Sequence, residues 1–223
     1  MMFEEHRCRG IPLLTVRIEA RAPGSAHAQA RELFERLTAG FDHYGTQLGD
    51  VVRTRLWAVD RHSRDVASGV RRAILTGPSR AASSSYIAPA WFASDAAVGI
   101  EATARVDGAV GKVTVEHDPP RIPIRYLTWG ELVVMSGVTT VLPTLPEQLD
   151  ANLAKIDEMF EEAGNSWNRA VDVRAYLHSS CDPEQFRALL DKRISASVDL
   201  LVVPVDGYSA VGKLVELEVT ALR

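Results

Sequence analysis

The 223-residue chain has little of several things, and each scarcity narrows what it can be. It contains only two cysteines, Cys8 and Cys181, one in each half of the chain. That is too few for a disulfide framework, and neither has partners at zinc-site spacing; His62 and His117 are likewise isolated, so no metal is expected. It lacks an excess of positive charge: 25 Lys and Arg against 29 Asp and Glu give a formal charge of −4. With a pI near 5.9 there is no electrostatic footprint for nucleic acid or an anionic lipid surface. It lacks any apolar run near the roughly 18 residues of a membrane span. Residues 1–10 carry charge where a signal peptide needs an apolar core, so no membrane association and a cytoplasmic location are expected.

What the chain does have is a repeat. The stretch EQLDANLAKIDEMFEEAGNSWNRAVDVRAYL, residues 147–177, falls without a gap on AQARELFERLTAGFDHYGTQLGDVVRTRLWA, residues 28–58. Gln148 lands on Gln29, Phe160 on Phe41, Gly164 on Gly45, Val171 on Val52 and Tyr176 on Trp57, and a match of this kind marks internal duplication. Within it, Leu149, Leu153, Ile156, Met159 and Phe160 recur at helical spacing, with Asp150, Lys155, Asp157, Glu158 and Glu161 on the other face. Gly164 with Asn165 is the expected helix stop. Residues 170–177 then alternate as a strand does. A helix feeds a strand, twice.

The flanks fill in the rest of each unit. Residues 1–9 are polar and read as an arm, and 13–20 as a first strand. Pro23 and Gly24 turn the chain into a helix capped by Ser25 and running to about Tyr44. Residues 51–60 form a strand, 63–75 a helix stopped by Gly77 and Pro78, and 83–91 and 98–106 a further pair of strands. Residues 107–118 keep strand character, but Asp118-Pro119-Pro120 and Pro123 interrupt sheet and helix alike, which puts the boundary between units 1–118 and 119–223. The second unit reads as strands at 125–128 and 131–136 around a Trp129-Gly130 turn, the organising helix and strand, a helix from Asp182-Pro183 to about Lys192, and strands at 198–205 and 214–222. Each unit is strand, strand, helix, strand, helix, strand, strand, with the opening hairpin of the first reduced. Helices on one sheet face leave the other to be covered by a second sheet or subunit.

At this point the chain resembles the Rid family, the YjgF or reactive-intermediate deaminase group. The second unit carries WGELVVMSGVTT, NLAKIDEMFEEAG, VPVDG and VELEVTA; the first carries LFERLTAGFDHYG, VVRTRLWAVD, SRAASSSYIAP and GIEATA. The motifs are individually short, but their order covers nearly the whole chain. The resemblance implies an α+β fold of two tandem Rid-like units, each a mixed β-sheet with two helices packed on one face. It also implies a trimer-like homo-oligomeric packing with ligand sites in clefts between units.

The family's signature arginine, which grips a substrate carboxylate, corresponds to Arg80, nine residues before Pro89. A guanidinium suits this because its planar fork matches a carboxylate. Counting back in the same way from Pro204 lands on Ser195, with Arg193 two residues early. Ser136-Gly137 corresponds to the family's cleft-lining Ser-Gly, and Glu216 to a glutamate that orients the hydrolytic water. In the first unit the aligned position of Glu216 is Gly99, while Glu218 and Glu101 align with each other. The working parts are thus divided between the halves, and a composite cleft of Arg80 with Ser136, Gly137 and Glu216 is expected, Trp129 walling the substrate.

Each of these residues also has a plainer reading. Arg80 could cap a loop, Glu216 could be an exposed acid on an alternating strand, Ser136-Gly137 could merely end a strand, and Trp129 could be packing. His178 beside Cys181 fits no nucleophile-base spacing. The resemblance implies hydrolysis of a small carboxylate-bearing imine or enamine to a keto acid and ammonia, without a cofactor. The alternatives are a non-catalytic carboxylate-binding or regulatory protein, and a chorismatase-like enzyme on the same scaffold.

Overall fold

The computed structural model describes residues 1–21, 23–194 and 198–223. The first unit opens with a hairpin, β1 (Met2–Cys8) and β2 (Ile11–Glu19). Its two-residue turn is Arg9-Gly10 with φ of 49° and 97°, the left-handed pair that matches strand twist. Helix α1 (Ala26–His43) follows, its first turn held by the Ser25 hydroxyl accepting from Ala28 N. Then come β3 (Val51–Ala58), α2 (Arg61–Ile74) capped by Asp60, β4 (Ala82–Ile87) and β5 (Val98–Arg105). The sheet order is β1-β2-β5-β3-β4, with β3 and β4 parallel and the rest antiparallel.

The second unit repeats the plan. Strands β6 (Val113–Val115), β7 (Tyr126–Trp129), β8 (Leu132–Met135) and β9 (Val138–Thr139) precede α3 (Leu145–Glu162), which opens on a Thr144–Glu147 capping box. After it come β10 (Ala170–His178), α4 (Pro183–Leu190), β11 (Leu200–Val205) and β12 (Val215–Leu222). The order is β11-β10-β12-β8-β7-β6, β9 pairing with β12 and β10 running parallel to β11. The fold is α+β with two mixed sheets in tandem, as the sequence pattern predicts.

One expectation is corrected. Residues 1–9 are not an arm but strand β1, and the opening hairpin of the first unit is complete. The polar run Glu4-Glu5-His6-Arg7 belongs to an edge strand whose side chains are mostly exposed, so no apolar alternation was needed. Phe3 stacks near Tyr44, and its ring lies close enough that a Cβ on Gly40 would sit 3.1 Å from it. Strand β6 lies before residue 119, yet it hydrogen-bonds to β7 of the second sheet.

Each sheet packs a helix-side core. Leu33, Phe34, Leu37 and Phe41 of α1 meet Leu14, Val16, Ile100 and Ala102 in the first unit; Leu149, Ile156 and Phe160 of α3 meet Val173, Leu217 and Val219 in the second. The opposite sheet faces meet each other. Trp57, Tyr86, Tyr176, Val205 and Tyr208 form an aromatic centre between the units, with Tyr86 and Tyr176 stacked at 3.9 Å. The cover that the sequence left open between a sheet and a subunit is, for these faces, the sheet of the sister unit. No helix among the described residues is long and apolar enough to cross a membrane.

Candidate functional site

The sheets meet more closely on one side than on the other. Along β4, Gly137 N donates to Ser83 O at 3.3 Å, Ser83 N donates to Ser136 Oγ at 3.1 Å, and Ile87 forms a backbone bridge with Gly207. Ser136 and Gly137 therefore do more than end a strand; they bind the edge of the first unit. Beside this seam lies a cavity of 280 Å³, shared between Arg64, Ser68, Arg71 and Ser83–Ser85 of the first unit and Gly137, Thr139, Ser209, Lys213 and Glu216 of the second. It continues past Ile122 and Pro123 into a lobe of 450 Å³ lined by His117, Arg121, Arg125, Lys155 and Glu158.

Strand periodicity and one glycine place Glu216. It alternates with Glu218 on the inner face of β12, both nearly sealed from solvent at 5% and 1% exposure, so neither is a surface acid. A Cβ on Gly137 would lie 1.9 Å from Glu216 Oε1. Only glycine lets the carboxyl lie against the backbone there. Burial pushes the Glu216 carboxyl up to about 7; Lys213 opposes the rise and Glu218 adds to it. Gly137→Ala is accordingly expected to displace the carboxylate. We expect it to lower the melting temperature by the equivalent of about 1–3 kcal/mol, measured by thermal unfolding.

Glu218 has the opposite environment. Arg55 Nε donates to its Oε2 at 2.7 Å, Tyr86 Oη to its Oε1 at 3.1 Å, and the Ser84 hydroxyl also donates to Oε1. Burial alone would raise its pKa, but Arg55, then Arg53 and the Ser84 hydroxyl, bring it down to about 2. Two buried glutamates two residues apart are thus driven to different protonation behaviour, the pattern that acid-base chemistry needs.

The cations facing Glu216 come from α2. Arg64, Ser68 and Arg71 share one helix face at i, i+4 and i+7. Arg64 Nε donates to Ser85 Oγ at 3.2 Å, and Arg71 Nη1 to Ser84 O at 2.6 Å. Burial and the nearby Arg64 lower the Arg71 pKa to about 10, which still leaves it charged at neutral pH. Sequence reasoning missed both arginines and Lys213. Their signal was the stripe itself: α2 presents charge and hydroxyl at positions where a packed helix presents Leu or Val, against a strand reading Ser83-Ser84-Ser85.

Arg80 lies at the margin of this arrangement. It forms an ion pair with Glu116 and borders a small recess with Arg71, Ser83 and Pro123, next to the main cavity. Trp129 lies elsewhere, buried with Ile11, Leu13, Val52 and Leu132, its indole N–H donating to Val110 O at 3.1 Å. The Ser195 comparison falls outside the described residues, and Arg193 pairs with Asp150 on the α3 surface. Among the described residues there is no cluster of metal-ligating side chains.

No protein-family model and no curated protein sequence matches the chain. Solved structures do. A member of the YjgF/YER057c/UK114 family from Mycobacterium tuberculosis is 22% identical over 51% of this chain and 100% of its own, with a TM-score of 0.46. A YjgF-family protein from Neisseria meningitidis is 21% identical over 51% of this chain and 95% of its own, also at 0.46. A chorismatase structure spans 98% of this chain and 79% of its own at 14% identity, with a TM-score of 0.69. The chorismatase likeness supports the two-sheet fold over nearly the full length of this chain.

Proposed function

We propose that this protein is a hydrolase acting on a small carboxylate-bearing imine or enamine in the cavity at the junction of its units. The observation carrying this reading is the buried Glu216 carboxyl, fixed by Gly137 of its own unit and facing the Arg64–Arg71 helix face of the other. An acidic chain that collects arginines and lysines around one cavity selects an anion there. Of the candidate grips we assign the substrate carboxylate to Arg71, which lines both the main cavity and the recess that Arg80 borders. Ionised Glu216 takes a proton from water as its oxygen attacks the C=N carbon. The protonated carboxyl returns that proton to nitrogen, giving a carbinolamine; Glu216 then passes a second proton from the carbinolamine hydroxyl to the amine as the C–N bond breaks and the C=O bond forms, releasing keto acid and ammonia.

The test is ammonia release from freshly generated 2-imino acids. Arg71→Ala is expected to raise KM at least about tenfold, the loss of one charge-assisted contact of roughly 1.5–3 kcal/mol, while Arg80→Ala has the smaller effect. The reverse order would return the grip to Arg80. Binding of keto acids without any turnover by the wild type would leave a carboxylate-binding protein. A second reading, a chorismatase-type reaction, is favoured by the further lobe beyond Gly137. There Arg121, Arg125 and Lys155 offer a separate cationic pole to a substrate with two carboxylates, such as chorismate. Turnover of chorismate with no ammonia from imines would select it.

A further inference from the structure

The duplication creates a second cleft, the mirror of the first. Strand register shows how it was rebuilt. Gly99 is paired with Trp57 as Glu216 is paired with Tyr176, so Gly99 takes the place of the acid. A Cβ there would lie 2.4 Å from the Trp57 indole, which fills the space. Leu201 lies opposite Arg174 as Ser84 lies opposite Arg55, so leucine replaces the hydroxyl. Arg17, paired with Glu101, stands where the second unit has Ser136-Gly137. The acid, the hydroxyl and the glycine lip are all absent, yet an opening of 290 Å³ remains.

Its walls are aromatic and cationic. The Arg17 guanidinium lies 4.6 Å from the Trp57 ring centroid and 5.9 Å from that of Trp91. Its nearest carboxylate, Glu101, is 3.9 Å away, and Arg174 is 3.7 Å from the same glutamate. Both separations exceed a hydrogen bond, while Glu101 is engaged by Arg55 at 2.5 Å. Arg174 also lies 3.7 Å from Asp172, again beyond hydrogen-bond length, so both partly exposed guanidiniums keep donors free beside the cleft. The Trp57 indole N–H has no hydrogen-bond partner among the described residues. Leu201, 49% exposed, lies at the mouth with Val203.

We propose that this mirror cleft is a non-catalytic binding site for a small aromatic carboxylate, its ring lying between Trp91 and Leu201 and its carboxylate between Arg17 and Arg174. The site is independent of whether the Glu216 cavity performs hydrolysis. Titration calorimetry of the full chain with 2-naphthoate tests it, with acetate as the ring-free control. Binding of naphthoate but not acetate is expected. Trp91→Ala and Arg17→Ala should each weaken it at least about tenfold, the scale of a desolvated cation–π or charge-assisted contact. Leu201→Glu, an exposed change that leaves the core untouched, should weaken it as much by placing a like charge at the mouth. All three variants keep the wild-type rate at the other cavity, and Arg71→Ala keeps naphthoate binding. The proposal is overturned if naphthoate fails to bind, or if its binding survives the three mirror-cleft substitutions and disappears with Arg71→Ala.

Discussion

Glu216→Gln is expected to reduce turnover by roughly 10²–10⁴, the range that a positioned general base contributes. The amide keeps the shape that lies against Gly137 and cannot accept a proton. The wild-type rate should also depend on pH in a defined direction. With the carboxyl pushed up to about 7, the ionised base appears only as pH rises through that value, so kcat/KM climbs across neutrality and levels off above it. The residual rate of Glu216→Gln should lack that limb. Stability moves the other way. A carboxyl raised from 4.5 to about 7 lets the folded state keep a proton that the unfolded chain releases, so wild-type stability falls as pH rises from 4.5 through about 7. Glutamine escapes that loss, and above pH 8 the variant should be the more stable protein by on the order of 3 kcal/mol. Chemical denaturation at pH 5 and pH 8 measures the difference. A variant within about threefold of the wild-type rate would remove Glu216 from the chemistry altogether.

The parts of this molecule legible in its sequence are those written in periodicity. Helix α1 and helix α3 lie within a residue or two of where their apolar stripes and terminal glycines put them, because the same stripe makes the core of each unit. The duplication was visible because the two copies still solve one packing problem. Strand β1 was missed, since an edge strand buries almost nothing and leaves no apolar period. The junction was harder still. Arg64 and Arg71 of α2 sit far from Lys213 and Glu216 in the chain and meet them only because β4 docks on Ser136 and Gly137, a contact between units that no local pattern encodes. Glu216 could be singled out by resemblance, but VELEV alternates like any surface strand. Only the sister sheet lying over β12 turns that alternation inward.

The same convergence predicts where the fold is most vulnerable. Arg55 is the bond between the sheets: it donates to Glu218 at 2.7 Å from one side of its guanidinium and to Glu101 at 2.5 Å from the other. Arg53 adds hydrogen bonds of 3.0 Å to Thr220 Oγ1, Met135 O and Val219 O of the second unit. Such a network need not stabilise the fold more than a well-packed apolar core would, since desolvation opposes every pair in it. Breaking it is different. Arg55→Ala leaves Glu218 buried without its closest partner and is expected to cost about 3–5 kcal/mol, read as a lower denaturant midpoint. Arg21→Ala, which removes an exposed arginine 3.8 Å from Glu32, serves as the surface comparison and should cost under about 0.5 kcal/mol. Glu218→Ala should cost as much as Arg55→Ala, and the pair together less than the sum, because each removes the other's stranded charge. Acid reports on the same contact. A carboxyl held at about 2 in the fold and near 4.5 in the unfolded chain contributes stability that is present above 4.5 and is lost as pH falls from there towards 2. The wild type should therefore lose stability in acid within that window, and Glu218→Ala, already weakened at pH 7, should lose less further stability between pH 5 and pH 2. Equal acid sensitivity in the two proteins would mean that the Arg55–Glu218 contact does not hold the units together.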